Sequence, residues 1–423
     1  MRFSTLNDWL AWQETLHPEE IELGLSRVQK VFQSLHSEKP PFKIITIAGT
    51  NGKGSSVSML QSILLDAGYR VGAYTSPHVF HYNERVCING NPVDDTVFIN
   101  SFERIDQARQ GTLLTYFEFG TLAALDIFYE IQPDIVLLEV GLGGRLDAVN
   151  IIDPDIALIT SIDIDHTAWL GDNREVIATE KAGVMRSHIP VVFSGTDMPD
   201  TIRSAAAEID AVLYVLNEDY QYTITASGWS WSDNQGHTIA LPRPALFGAH
   251  QLQNAAGVIE TLKFLDEDYP VNNHSIRQGL LKTYLRGRFE VIPASNTLAE
   301  RIFDVAHNAQ SIKQLTQNLQ TTTVKGKTVV VIGMLADKEC GAALITMLPI
   351  VDVWFCGSIH SSRGLSAEKL AERLSHFIDP NRIRTFGSVT EAYRVACENT
   401  NSEDRIVITG SFFTVAEVLE QSV

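Results

Sequence analysis

Lys53 is set in Gly49-Thr50-Asn51-Gly52-Lys53-Gly54-Ser55-Ser56, and these residue types together suit the binding of a phosphate chain. Glycines let backbone N–H groups come close to phosphate oxygens, and a helix N-terminus adds favourable potential. An ammonium supplies a point charge, and a hydroxyl reaches a bound Mg²⁺. The spacing departs from the common nucleotide loop, G-x-x-x-x-G-K-[ST]. Here Gly49 lies three residues before Gly52, and Gly54 separates Lys53 from Ser55. The physics of the loop survives that change, and the favoured reading is a nucleotide site; the alternative is an ordinary tight strand-to-helix turn.

Other reactive groups stand at similar junctions. Glu139 closes the apolar run 135–138 and precedes Val140-Gly141-Leu142-Gly143-Gly144-Arg145-Leu146-Asp147. A carboxylate buried there is costly unless paired or bound to a cation. It is read as a metal or water ligand beside the nucleotide, with a salt bridge to Arg145 as the alternative. Asp163, Asp165 and His166 follow the run 155–162, where ligands collect in open α/β sheets. His166 on its own is equally a ligand or a structural histidine. Lys181 on its own reads as a solvated helix position, and Ser76-Pro77-His78 as a proline turn or a hydroxyl offered to a cation.

The elements that must carry these residues alternate. The β-branched run Ile44 to Ile47 reads as a buried strand feeding the loop, and Val57, Met59, Leu60, Ile63 and Leu64 have helical spacing behind it. Strands are predicted over Arg70 to Thr75, Asp134 to Val140, Asp155 to Ile162 and Pro190 to Phe193, with helices at Tyr116 to Ile131 and Asn173 to Met185. The segment Ala211 to Leu241 breaks the pattern with hairpin-like strands. Helices return at Gln251 to Leu265 and Ser275 to Tyr284. A second strand series then runs through Arg301 to Val305, Thr328 to Ile332, Val351 to Phe355, Arg382 to Thr385 and Arg405 to Thr409. The expectation is a two-domain α/β protein. Residues 1–285 form a mostly parallel sheet with helices on both faces and a small antiparallel extension. Residues 286–423 form a Rossmann-like domain.

Composition narrows the class. A chain of 423 residues exceeds one ordinary core. Its net charge of −18 and lack of a basic stripe argue against a nucleic-acid partner. Anionic substrates must then be held by a local cluster of cations and backbone dipoles. No apolar run approaches the ~20 residues that span a bilayer, and residues 1–20 lack the pattern of a secretory signal. Cys87, Cys340, Cys356 and Cys397 show no zinc or redox spacing and read as free thiols. The expected setting is the cytoplasm.

Taken together, the motifs resemble the Mur ligase superfamily, and within it the branch that joins L-glutamate to pterin carboxylates with ATP. The resemblance rests on the loop 49–55 with Thr75-Ser76-Pro77-His78, Leu114-Thr115-Tyr116-Phe117-Glu118, the stretch 138–147, Asp165-His166-Thr167, Glu180-Lys181-Ala182-Gly183 and Phe303-Asp304-Val305-Ala306-His307-Asn308. These run in the family's order through nearly the whole chain.

The resemblance implies roles for individual residues. Thr50, Asn51, Gly52, Lys53, Gly54 and Ser55 would wrap the ATP phosphates, with Asn254, Arg288 and Asp304 also on ATP. Ser76, Glu139 and His166 would hold two Mg²⁺ ions, joined by Lys181 once carbamylated. That chemistry calls for desolvation or nearby positive charge at Lys181. Ile21, Glu22, Leu23, Thr115, Tyr116, Phe117, Glu118, Leu146, Asp147 and Ala148 would line the pterin site. His307 would lie near the glutamate and the transferring phosphoryl group, beside Lys53, Lys181 and His166 as a catalytic group. A monovalent cation and a monomeric state are further implications. The implied substrates are dihydropteroate, reduced folates and L-glutamate, activated through an acyl phosphate in a cleft that closes, with Arg288 at the hinge. Two positions depart from the family pattern: Ala309 where proline is common, and Phe413 where histidine is common. No role is assigned to Phe413. The rival readings are polyglutamylation alone, a Mur ligase with a UDP-binding domain, for which the sequence before the loop leaves no room, and an ATP-dependent binding module.

Overall fold

Apolar β-branched runs with no polar alternation belong to strands covered on both faces, and the chain places them accordingly. The computed structural model describes residues 2–19, 21–265, 267–338, 341–361 and 363–422. Cys340 therefore lies outside the described residues. The chain divides into two units: 1–163 with 170–245 and 252–283, and 164–169 with 246–251 and 284–423.

In the first unit the strands are β1 (Lys43–Ala48), β2 (Val71–Tyr74), β3 (Val86–Ile88), β4 (Asn91–Pro92), β5 (Ile135–Glu139), β6 (Ile156–Ile159), β7 (Pro190–Phe193) and β8 (Val212–Val215). Among the described residues they form one sheet of order β4-β3-β2-β5-β1-β6-β7-β8. Pairing is parallel from β2 to β8 and antiparallel at β2–β3 and β3–β4. The register brings the carboxyl ends together: Ile47 opposes Glu139, Ala48 opposes Ile159, and Tyr74 opposes Leu138. The chain leaves β1 with successors on both sides, so this edge is a topological switch point. The core beneath it includes Ile44, Ala48, Leu122, Phe128, Val136, Leu138 and Ile159.

The strands β9 (Tyr220–Thr225), β10 (Gly228–Asp233) and β11 (Thr238–Leu241) form a separate antiparallel sheet. The hairpin expected within 211–241 is therefore present. The same stretch also supplies β8, which extends the main sheet beside β7.

In the second unit β12 (Glu290–Ile292), β13 (Glu300–Phe303), β14 (Thr328–Ile332), β15 (Val353–Gly357), β16 (Ile383–Phe386) and β17 (Arg405–Thr409) take the order β12-β13-β17-β14-β15-β16. All pairs are parallel except β12–β13. Helices Ala309–Thr321, Ala367–Ser375 and Val389–Glu398 lie between the strands in the chain, and Ile312, Leu315, Val330, Trp354 and Val407 sit in the core. No helix of the described residues is long and apolar enough to cross a membrane.

Candidate active site

The phosphate-type loop occupies the carboxyl edge of the first sheet. It leaves β1 at Gly49 with φ +143° and enters helix Lys53–Asp66 through Gly52 with φ +94°. Both conformations favour glycine. A side chain would also collide at each: a Cβ on Gly49 would lie 1.8 Å from Thr160 Oγ1, and one on Gly52 would lie 2.6 Å from Asn254 Oδ1. Gly52 thus brings Asn254, predicted to bind the nucleotide, against the loop.

A hydrogen-bond frame fixes the loop to the residues after β6. The Thr50 N–H donates to Ser161 O at 2.7 Å. Thr50 Oγ1 donates to Asp163 O at 3.0 Å and accepts from the Asp163 N–H at 3.0 Å. Thr160 Oγ1 donates to Ala48 O at 3.1 Å and Asn51 O at 2.8 Å.

Two lysine side chains meet at this loop. Lys53 Nζ donates to Gly49 O at 3.0 Å and Thr50 O at 3.2 Å, and Lys181 Nζ donates to the same Gly49 O at 2.9 Å. Lys181 is only 4 % exposed on helix Arg174–Ala182, so the solvated-face alternative does not hold. Beside them, buried Glu139 accepts from the Ser76 N–H at 3.4 Å. The alternative partner of Glu139, Arg145, is paired with Glu180 at 2.7 Å. Ser55 is buried in the first turn of the helix.

The residues expected to bind the pterin also lie in the first unit. Thr115 caps helix Tyr116–Ile131 in a capping box with Glu118. Asp147 caps the turn Ala148–Ile151 and accepts from the Leu142 N–H at 2.7 Å and the Val149 N–H at 3.0 Å. Burial pushes the Asp147 carboxyl up to about 6, against those donors and the charge of Lys53. Tyr116, Phe117 and Leu146 are half-buried, as are Ile21 and Leu23, while Ala148 is buried and Glu22 exposed.

The remaining candidates belong to the second unit. Asp304 accepts from the Phe289 N–H at 3.0 Å and the Ala306 N–H at 2.9 Å. Burial pushes its carboxyl up to about 6, partly offset by the Arg288 charge. The Arg288 guanidinium lies over the Phe412 ring, 5.1 Å from its centre. His307 Nδ1 carries its proton toward Val305 O at 2.8 Å, because a carbonyl only accepts. Its Nε2 is 3.6 Å from Asp165 Oδ2. His166 follows Asp165 with φ +52°, in the short segment 164–169 that is part of this unit.

Lys338 is a residue that motif reasoning misses. Its Nζ donates to Asp165 Oδ1 at 2.5 Å, while Asn308 Nδ2 donates to Asp165 Oδ2 at 2.8 Å. Burial would raise the Asp165 carboxyl; the neighbouring His307 imidazole and the charges of Lys338 and His166 outweigh it and hold the group well below the carboxylate range. The departure at Ala309 has a simple reading. Ala309 opens helix Ala309–Thr321, whose cap is Asn308, and this first position accepts proline and alanine alike. Phe413 is half exposed on helix Phe412–Ser422, and the structure gives no reason for it.

The donor set beside the loop suits a hard cation. Among the described residues no three His, Cys, Asp or Glu side chains cluster as a metal cage. One carboxylate and a serine next to a phosphate loop is instead how Mg²⁺ is held, with the nucleotide supplying further oxygens.

A loop of this build, at this edge, followed by a second α/β unit, defines a class. Residues 47–262 match the Mur ligase middle domain and residues 287–412 match the Mur ligase glutamate ligase domain. The dihydrofolate synthase/folylpolyglutamate synthase of Escherichia coli is 41% identical over 417 residues, 99% of this chain and 95% of that protein. The structure of E. coli FolC in complex with DHPP and ADP superposes with a TM-score of 0.92 at 41% identity, covering 99% and 98% of the two chains. A bifunctional folylpolyglutamate synthase/dihydrofolate synthase with Mn, AMPPNP and L-glutamate bound gives 0.90 at 42% identity, covering 99% and 98%. The chain belongs to the dihydrofolate synthase/folylpolyglutamate synthase family of Mur ligases and is an ATP-dependent ligase.

Proposed function

We propose that this ligase adds L-glutamate to dihydropteroate, giving dihydrofolate, and to reduced folates, giving folylpolyglutamates. The observation that carries the reading is the Lys53 ammonium, held on Gly49 O and Thr50 O at the mouth of a helix N-terminus. In a chain of net charge −18, that is the local positive focus an ATP phosphate chain requires.

A carboxylate and an amine do not condense unaided at neutral pH. A carboxylate oxygen of the pterin substrate attacks the γ-phosphorus of ATP, and the bond to the bridging oxygen breaks as ADP leaves. The glutamate amine then attacks the acyl carbon, loses its proton, and phosphate departs from the tetrahedral intermediate. Lys53 and the loop amides position and neutralise the phosphates, with Thr50, Asn51, Gly52, Gly54, Ser55 and Asn254 shaping the cradle. Ser76, Glu139, His166 and a carbamylated Lys181 would hold two Mg²⁺ ions. When bound, these supply charge neutralisation at the phosphoryl oxygens. Burial of Lys181 supports its carbamylation, since burial favours the neutral amine that reacts with CO₂.

Ile21, Glu22, Leu23, 115–118 and 146–148 receive the pterin. Arg288 and Asp304 contact ATP, and His307 serves the glutamate and phosphoryl-transfer step. On this reading 1–285 is the ATP- and pterin-binding domain and 286–423 the glutamate ligase domain. We further take the enzyme as a cytoplasmic monomer aided by a monovalent cation. Its free thiols at Cys87, Cys356 and Cys397 support a reducing compartment. Sedimentation and activity with and without K⁺ test the monomer and the cation.

Mass spectrometry after incubation with ATP, Mg²⁺, L-glutamate and either dihydropteroate or a reduced folate tests the function. One added glutamyl unit on each substrate is expected, with ADP released only when both co-substrates are present. A gain on the reduced folate alone reduces the activity to polyglutamylation. ADP release indifferent to both co-substrates overturns the ligase reading. Near-normal turnover by Lys53→Ala would remove the assignment of the phosphate site.

A further inference from the structure

Between helices Leu6–Leu16 and Ser26–Leu35 the described chain has no regular structure, and Ile21, Glu22 and Leu23 lie on that stretch. Side chains, those of Arg27 and His17, tie Glu22 in place. Arg27 Nε donates to Glu118 Oε2 at 3.0 Å and its Nη2 approaches Glu118 Oε1 at 2.8 Å. The same guanidinium donates through Nη1 to the Glu22 carboxylate and through Nη2 to the Glu22 carbonyl. His17 Nε2 lies 2.9 Å from the other Glu22 oxygen.

Glu118 is itself tied to the helix it opens. Its Oε2 accepts from the Thr115 N–H at 2.8 Å, and its own N–H donates to Thr115 Oγ1 at 3.3 Å. Its side chain is 5 % exposed, against 18 % for Arg27. An exposed ion pair contributes little, but a buried carboxylate that also closes a capping box cannot change partner freely. The planar fork of arginine makes two parallel bonds to one carboxylate and still has donors for a second group. Lysine, a point charge, cannot do both.

We propose that Arg27 is a positioning residue for the pterin-bearing substrate. By clamping Glu22 to Glu118 it sets the spacing between Ile21–Leu23 and the first turn of helix Tyr116–Ile131. This rests on the assignment of those two stretches to the pterin. Arg27 does not touch the reacting atoms; its effect falls on the affinity for one substrate of three.

Steady-state kinetics of the full-length enzyme test this. Arg27→Lys raises KM for dihydropteroate and for a reduced folate about tenfold, and leaves kcat and the KM values for ATP and L-glutamate within about twofold. Glu118→Gln does the same, and the double variant is no worse than either single one, as expected of a shared contact. Glu22→Gln, which loosens only the exposed arm, gives a smaller shift of the same kind and keeps the test open if Arg27→Lys does not fold. Asp147→Asn serves as an independent probe of the pterin site. If Asp147→Asn raises the pterin KM while the Arg27 and Glu22 variants leave it unchanged, the clamp is overturned and the pterin assignment stands. If none of the variants moves it, the pterin assignment itself fails and takes the clamp with it. Equal losses for all three substrates overturn the positioning role in favour of a merely structural one.

Discussion

Lys338 and Asp165 form a 2.5 Å ion pair across 173 residues of sequence, with their side chains 8 % and 9 % exposed. The pair sits on the same carboxylate that receives Asn308, the cap of helix Ala309–Thr321, and that His307 faces. One acid therefore organises the start of that helix and the orientation of a candidate catalytic imidazole.

Removing one partner of a buried pair strands the other. Lys338→Met is expected to cost about 3 kcal/mol, the low end for such a break, because Asp165 retains Asn308 and His307. Thermal unfolding reads the loss directly. The double variant Lys338→Met/Asp165→Asn recovers part of it, since no unpaired charge remains buried. A double variant no more stable than Lys338→Met would refute the charge argument.

At the phosphate loop, Gly49→Ala meets Thr160 Oγ1, which is held by two carbonyls, and must adopt φ +143°. The strain is worth about 1–3 kcal/mol before the clash is added. ATP binding by isothermal titration should be lost while Gly52→Ala, whose clash is with the end of the Asn254 side chain, weakens it less.

Thr115 provides a milder case. Thr115→Ala removes the acceptor for the Glu118 N–H and should lower stability by about 1 kcal/mol. Thr115→Ser should restore most of it. Denaturant midpoints for the three proteins give the comparison, and a neutral Thr115→Ala would show that the cap contributes nothing here.

His250 offers a pH signature. Burial, then the charge of Arg288, lowers its imidazole to about 4, against about 6.5 in an unfolded chain. The folded ring is neutral at pH 7. As pH falls through 6.5 the unfolded chain takes up the proton first, so this group withdraws stability from about 6.5 down to 4. NMR should find the His250 ring signals unchanged from pH 7.5 to about 5.5. His250→Gln should flatten the acid limb of the stability curve relative to wild type; an ordinary midpoint near 6.5 would contradict the burial argument.

The sequence announces some elements to the residue. Thr328–Ile332, Pro190–Phe193 and Arg405–Thr409 are short stretches with apolar, β-branched centres between turn signals, and Tyr116–Ile131 carries its own capping box. It hides others. Val212–Val215 merges with the hairpin that follows, and Asn91–Pro92 is two residues long. The loop at Gly49 is legible because its chemistry is local. Arg27 and Lys338 are not: their partners lie 91 and 173 residues away, and each reads in isolation as one more surface cation. Lys181 reads the same way, and only the packing of its helix shows it to be buried.

The second unit is assembled from three lengths of chain, and Asp165 arrives in the first of them. The two bodies are therefore not severable by a single cut. A fragment beginning at Tyr284 would carry Lys338 and Asn308 without the carboxylate they share, and would leave a buried ammonium with no counter-charge from Asp165. Cloning boundaries, fusion points and circular permutations that treat 284–423 as a freestanding module discard the six residues that make its interior electrically whole.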